Sequence, residues 1–159
     1  MQRRSVLKAA ALGIVTAGVA QSALARELYF PSKVDKALFE SINRAKDPAK
    51  KTTLEKLHAP VINAPNAVKA GEPFTVEVNI GEIIHTMGQA HWIEFIELNI
   101  GNEPAGRVDL QSNGYLNPKA TFTVVVGKDA APEGKLTLVA RERCNLHGYW
   151  ESCKDISVS

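Results

Sequence analysis

Phe74-Thr75-Val76-Glu77-Val78-Asn79-Ile80 alternates apolar and polar residues with a period of two. Successive side chains of an extended strand point to opposite faces, so Phe74, Val76, Val78 and Ile80 share a face suited to a core. A helix would scatter the same residues around its circumference. Outward from this stretch, residues 61–64, 92–100, 120–126, 135–141 and 156–158 are short β-branched or apolar runs of the same kind. Turn chemistry separates them: Ala70-Gly71-Glu72-Pro73, Gly101-Asn102-Glu103-Pro104, Asn113-Gly114, Asn117-Pro118 and Pro132-Glu133-Gly134. Short strands at this spacing make the chain all-β, with an immunoglobulin-like β-sandwich favoured. The strand pattern alone leaves barrel and sandwich undecided. No internal repeat or low-complexity tract interrupts it.

The N-terminal part is patterned differently. Met1-Gln2-Arg3-Arg4-Ser5 opens with two arginines, an apolar run follows over 9–20, and Ala23-Leu24-Ala25 has the small residues of a cleavage site. The segment holds no acidic residue and is apolar on all faces, yet it falls short of the roughly 20 apolar residues a spanning helix needs. Residues 1–25 are therefore expected to be a twin-arginine signal peptide directing the chain to the periplasm. Beyond it, Ser32 can cap a helix over 33–45, with Val34, Leu38, Phe39 and Ile42 at helical spacing and Asp47-Pro48 ending it. Residues 46–56 read as a charged linker or surface loop. The expected organisation is a signal at 1–25, a helical extension and linker without chemistry at 26–54, and a β domain at 55–159.

Removing residues 1–25 takes away Arg3, Arg4 and Lys8, which leaves sixteen basic against seventeen acidic residues and moves the formal charge from +2 to −1. A near-neutral chain without a basic run argues against nucleic acid, or an anionic membrane surface after signal removal, as partner.

All four histidines, His58, His85, His91 and His147, lie at strand ends or in loops, and His147 follows Cys144 by three residues. Imidazoles with one soft sulfur suit iron, copper or zinc and not magnesium or calcium. Taken singly each histidine has a bland alternative: His91 on a core face, His85 and His58 at the surface. Met87 is a core filler by the same reasoning. The two cysteines of an exported chain could also form a disulfide, but that would remove the thiolate next to His147. Cys144 is accordingly expected on the metal and Cys153 as a free, buried thiol on the last strand.

Leu57-His58-Ala59-Pro60, His85-Thr86-Met87-Gly88-Gln89-Ala90-His91-Trp92 and Cys144-Asn145-Leu146-His147-Gly148-Tyr149-Trp150, in that order, resemble the iron domain of superoxide reductases, the neelaredoxin and desulfoferrodoxin family. The resemblance runs from about residue 55 to the C-terminus. It implies a β-sandwich carrying one mononuclear iron, with His58, His85, His91 and His147 equatorial, Cys144 axial and the sixth position open. It also implies an enzyme that reduces superoxide to hydrogen peroxide. The family commonly has Glu-Lys-His at the first ligand, the lysine attracting the anion and the glutamate able to reach the sixth position. Here Glu55-Lys56-Leu57-His58 contains an extra residue, so either Glu55 and Lys56 keep those roles through a flexible loop or Leu57 takes the lysine's place; Lys56 is favoured. Residues 26–54 contain no cysteine, so no second, rubredoxin-like iron centre is expected there. The electron must then come from a small donor protein such as a rubredoxin or cytochrome, with Tyr149 or Trp150 near its docking surface. A homo-oligomer is compatible with the sequence. Two other classes stay open: a copper or iron electron-transfer protein, although no methionine follows His147, and an exported non-catalytic β-sandwich that binds a partner.

Overall fold

The computed structural model describes residues 41–159, which fall within one compact unit, Leu38–Ser159. The twin-arginine segment and residues 33–40 of the expected helix lie outside the described residues. Described elements are one α-helix, α1 (Thr53–His58), a short 3-10 turn (Lys128–Ala130) and eight strands: β1 (Pro60–Asn63), β2 (Ala67–Val68), β3 (Phe74–Ile80), β4 (Ile93–Ile100), β5 (Glu103–Asp109), β6 (Lys119–Val124), β7 (Lys135–Cys144) and β8 (Gly148–Val158). They form a three-stranded sheet ordered β1-β3-β6 and a five-stranded sheet ordered β2-β8-β7-β4-β5. All pairings are antiparallel except the short β2–β8 ladder. The fold is a β-sandwich, as the strand pattern and the resemblance led one to expect.

β3 behaves as its alternation requires: Phe74, Val76, Val78 and Ile80 are buried and the residues between them are not. They meet Ile93, Ile96 and Leu98 of β4 and Leu136, Leu138 and Ala140 of β7 in one core cluster that also contains Cys144. Each fully buried Val, Leu or Ile contributes about 1.5–3 kcal/mol relative to exposure. The metal-ligand candidates therefore sit at one end of a consolidated core.

Several expectations are corrected. Ser41–Ala45 is not helical: Asn43 makes an isolated parallel bridge with Trp150, and its backbone pairs with Tyr149 and Glu151 instead of with its own turn. The charged stretch before His58 is not simply a linker, because Thr53–His58 is a helix nucleated by a capping box in which Thr52 and Glu55 bond each other's backbone amides. β5 was missed since Pro104 and Gly106 speak against a strand, yet an edge strand tolerates both. β8 begins at Gly148, making 145–147 the turn of a β7–β8 hairpin. A bulge between Ile93 and Phe95 keeps Ile93 in the core cluster and turns Phe95 away from it, where the Arg107 guanidinium lies over its ring.

Cys153 is on the last strand but exposed, not buried. Both cysteines are free. Cys153 pairs with Val139, five positions along β7 from Cys144. At about 3.4 Å per residue that is roughly 17 Å along the strand, so a disulfide is out of reach.

Candidate metal centre

Three segments bring the donors together. α1 ends at His58, the loop between β3 and β4 carries His85 and His91, and the β7–β8 hairpin carries Cys144 at the end of β7 and His147 in its turn. The loop is seated against α1 by Gly81, whose φ is +75° and whose backbone lies so close to the helix that an added Cβ would stand 2.5 Å from the Leu57 carbonyl oxygen. Just beyond it the Glu82 and Ile83 amides donate to the Lys56 carbonyl at 2.7 and 3.1 Å. Asn145 ties the hairpin turn to the same loop, its Oδ1 accepting from the Trp92 amide and its Nδ2 donating to the Ala90 carbonyl, both at 2.9 Å.

The rings close a square. His58 lies 4.7 Å from His85 and 4.6 Å from His147 between centroids, and His91 lies 4.4 and 4.9 Å from the same two. His58 and His91 are 6.0 Å apart and thus opposite each other. The ligating atoms of His58, His91, Cys144 and His147 all lie within 4.8 Å of one another. His85 completes the ring, its Nε2 3.1 Å from the Nε2 of His58. His58 and His85 are buried, while His91 and His147 are half-buried and form the solvent-facing edge.

Tautomers are fixed by the backbone. His58 Nδ1 donates to the Leu54 carbonyl at 2.8 Å and His85 Nδ1 to the Thr86 carbonyl at 2.6 Å. A carbonyl only accepts, so both protons are on Nδ1 and both Nε2 atoms present lone pairs to each other. Two lone pairs facing at 3.1 Å in a buried site call for a cation between them. The other spacings agree: His147 Nδ1 is 3.0 Å from His58 Nε2, and Cys144 Sγ is 3.1 Å from His91 Nε2 and 3.4 Å from His147 Nδ1. An ion with nitrogen bonds of about 2.1 Å holds donors at right angles about 3.0 Å apart, and a sulfur at about 2.3 Å comes about 3.1 Å from each. The donor set fits a thiolate-loving transition metal.

Electrostatics favour the neutral imidazoles a metal needs. Burial, followed by the neighbouring His58, lowers His85 to about 4, and burial lowers His58 and His91 as well. Burial raises the Cys144 thiol, but the Leu146 and His147 amides donate to the sulfur and oppose that. Behind the ligands, Trp150 stacks on His58 with centroids 5.2 Å apart and planes 21° apart. Glu142, two residues before Cys144, is fully buried with neither carboxyl oxygen bonded, and burial pushes it up to about 9. It is thus a neutral acid beneath the site.

The sequence matches the desulfoferrodoxin family model over residues 49–153. The chain belongs to the desulfoferrodoxin family. A Methanocaldococcus jannaschii relative, provisionally named a superoxide reductase, is 37% identical over 115 residues, spanning 72% of this chain and 92% of its own length. The Megalodesulfovibrio gigas neelaredoxin is 29% identical over 119 residues, covering 64% of this chain and 87% of itself. Among solved structures, the superoxide reductase (neelaredoxin) from Ignicoccus hospitalis superposes with a TM-score of 0.63 at 37% identity, covering 76% of this chain and 98% of that one.

The two remaining sequence candidates, Glu55 and Lys56, lie on α1 and not in a flexible loop. Glu55 is buried, its Oε1 accepting from the Lys46 amide at 3.0 Å and its Oε2 from the Thr52 amide at 2.7 Å. Those amides hold its carboxyl below the usual carboxylate range. It is committed to the helix cap and is not poised over the histidines. Lys56 is exposed on α1, and it adds to Lys51 in lowering the Glu82 carboxyl. Met87 packs against the core as expected, its sulfur accepting from the Ile93 amide at 3.4 Å. Sequence reasoning missed the capping function of Glu55, although the Thr52-x-x-Glu55 spacing signals it.

Proposed function

We propose that this chain is a superoxide reductase whose metal is a single iron held by His58, His85, His91, His147 and Cys144. The observation that carries this reading is the closed square of four imidazoles with the Cys144 sulfur against two of them. Bound iron, cycling between ferrous and ferric, supplies one electron per turnover to superoxide, which takes up two protons and leaves as hydrogen peroxide.

The chain's own groups prepare that chemistry. The Leu54 and Thr86 carbonyls orient His58 and His85, so no ring has to rotate as the metal's charge changes. The Leu146 and His147 amides moderate the negative charge on the Cys144 sulfur, and the core that buries Cys144 keeps water off it. Lys56, exposed beside the Glu82 carboxylate, is free to add positive potential at the approach. Glu55 stays in its cap, which leaves protons to reach the product from solvent along the His91 and His147 edge. A copper electron carrier is disfavoured because Met87, the only methionine besides Met1, spends its sulfur on the Ile93 amide.

The reducing electron is assigned to a separate small electron-transfer protein, and the twin-arginine-like start supports export to the periplasm. The test is stoichiometric: the iron-loaded, pre-reduced chain mixed with superoxide should yield one hydrogen peroxide per superoxide and no dioxygen. Dioxygen release at half that stoichiometry would make it a dismutase. A reaction no faster than that of the metal-free chain would remove the enzymatic reading.

A further inference from the structure

We propose that Asn43, which lies before the family-matched segment, is a positioning residue of the metal centre; this rests on the metal reading above. The segment 43–52 is a strap tied at both ends to ligand-bearing elements. At one end Asn43 makes four hydrogen bonds to the β7–β8 hairpin, one to the His147 carbonyl and three to Tyr149 and Glu151 of β8. Its Nδ2 donates to the His147 carbonyl at 3.2 Å and to the Tyr149 carbonyl at 2.9 Å. Its amide donates to Tyr149 and its carbonyl accepts from Glu151, both at 2.9 Å. At the other end the Lys46 and Thr52 amides donate to Glu55, which caps the helix carrying His58. His58 Nε2 and His147 Nδ1, the donors at the two ends, stand 3.0 Å apart.

The His147 carbonyl closes the 145–147 turn, and the next residue, Gly148, has φ +75°. A hairpin turn of this kind has few backbone bonds of its own, and an unanchored peptide could rotate His147 out of the square. The Asn43 amide fixes that peptide from outside. Arg44 supplies the comparison: its guanidinium bonds Glu151 at 2.6 and 2.9 Å and so fastens the same strap to β8, yet it touches nothing in the 144–148 turn. A strap that merely stabilised the fold would make the two residues equivalent.

The experiment compares Asn43→Asp and Arg44→Ala in the full-length chain. Asp is nearly isosteric but has no N–H to donate to the two carbonyls. Asn43 is exposed, so each bond is weak and the expected loss is one to two net hydrogen bonds, about tenfold in affinity. Cobalt(II) affinity by chelator competition should fall by that factor in Asn43→Asp, and the cobalt visible bands should shift. Arg44→Ala should stay within about twofold, at a similar change in thermal midpoint. Hydrogen exchange of the 145–148 amides, measured in the same chains without metal, should speed up in Asn43→Asp alone. Equal affinities and equal exchange in both variants would overturn the proposal. If wild type binds no cobalt, the metal reading fails, and the exchange comparison still decides whether Asn43 holds the turn.

Discussion

Gly81→Ala should be among the most damaging single-methyl additions in this protein, and its cost separates into two parts. The first is conformational: φ is +75°, a left-handed position that costs an L-residue about 1–2 kcal/mol. The second is steric. The new Cβ would meet the Leu57 and Lys56 carbonyl oxygens at 2.5 and 2.6 Å, against ordinary contact from 3.4 Å, and both are backbone atoms of the helix that ends in His58. Overpacking of this kind costs about a further 1–3 kcal/mol, so the total is about 2–5 kcal/mol. Gly71 provides the control, having φ +81° but nothing within 4 Å, so Gly71→Ala should cost only the conformational part. Urea unfolding of the two metal-free variants measures the difference. Relief of the clash separates α1 from the loop and opens the 3.1 Å spacing of His58 and His85, so cobalt affinity should drop in Gly81→Ala and hold in Gly71→Ala. Equal destabilisation with unchanged cobalt binding would refute the close approach as the device that seats His58.

Cys144→Ser should abolish the thiolate-to-iron charge-transfer band, while Cys153→Ser, an exposed thiol on the outer face, should leave it intact; equal loss in both variants would contradict the assignment. In the metal-free chain His85 titrates at about 4 folded and about 6.5 unfolded, so the unfolded state binds its proton first. Its contribution to stability is then full above pH 6.5 and declines toward pH 4, by on the order of 3 kcal/mol, and His85→Gln should make the acid-side decline in denaturation midpoints shallower, His58 and His91 keeping their own share of it. Lys56→Ala should slow the second-order reaction of the reduced protein with superoxide, and Lys56→Arg should restore it. The wild-type rate should fall as salt shortens electrostatic reach to about 10 Å at 0.1 M, and a rate indifferent to both would leave attraction to the metal alone. Removing residues 26–50, which a reading of that segment as an inert extension would tolerate, should instead weaken metal binding because it takes Asn43 and Lys46 away, as chelator competition would report.

The sequence was most readable where one physical rule acted alone. β3 has apolar residues on one face and polar ones on the other, and its structure follows the alternation residue by residue. β8 was legible only over its last residues: its inward positions include Ser152 and Lys154, the latter reaching to donate to the Ala64 carbonyl, so the apolar period is broken. β5 hides behind Pro104 and Gly106, whose cost depends on being in a sheet interior and vanishes at an edge. The histidines and Cys144 could be singled out because few residue types bind a soft metal and their spacing is short within each segment. Asn43 could not, since it acts through backbone carbonyls 104 and 106 positions away, and a lone asparagine carries no pattern. Glu55 shows the converse risk: a carboxylate next to a ligand in sequence spends both oxygens on amides of its own helix start and strap.

X-ray absorption on the iron-loaded chain, with metal content determined on the same sample, reads the proposed ligand set of four imidazoles and one thiolate around a single iron. The predicted result is one iron per chain with four nitrogen neighbours near about 2.1 Å and a single sulfur at about 2.3 Å or slightly longer, the sulfur disappearing in Cys144→Ser. An iron shell without sulfur, or one that keeps its sulfur in Cys144→Ser, would contradict it.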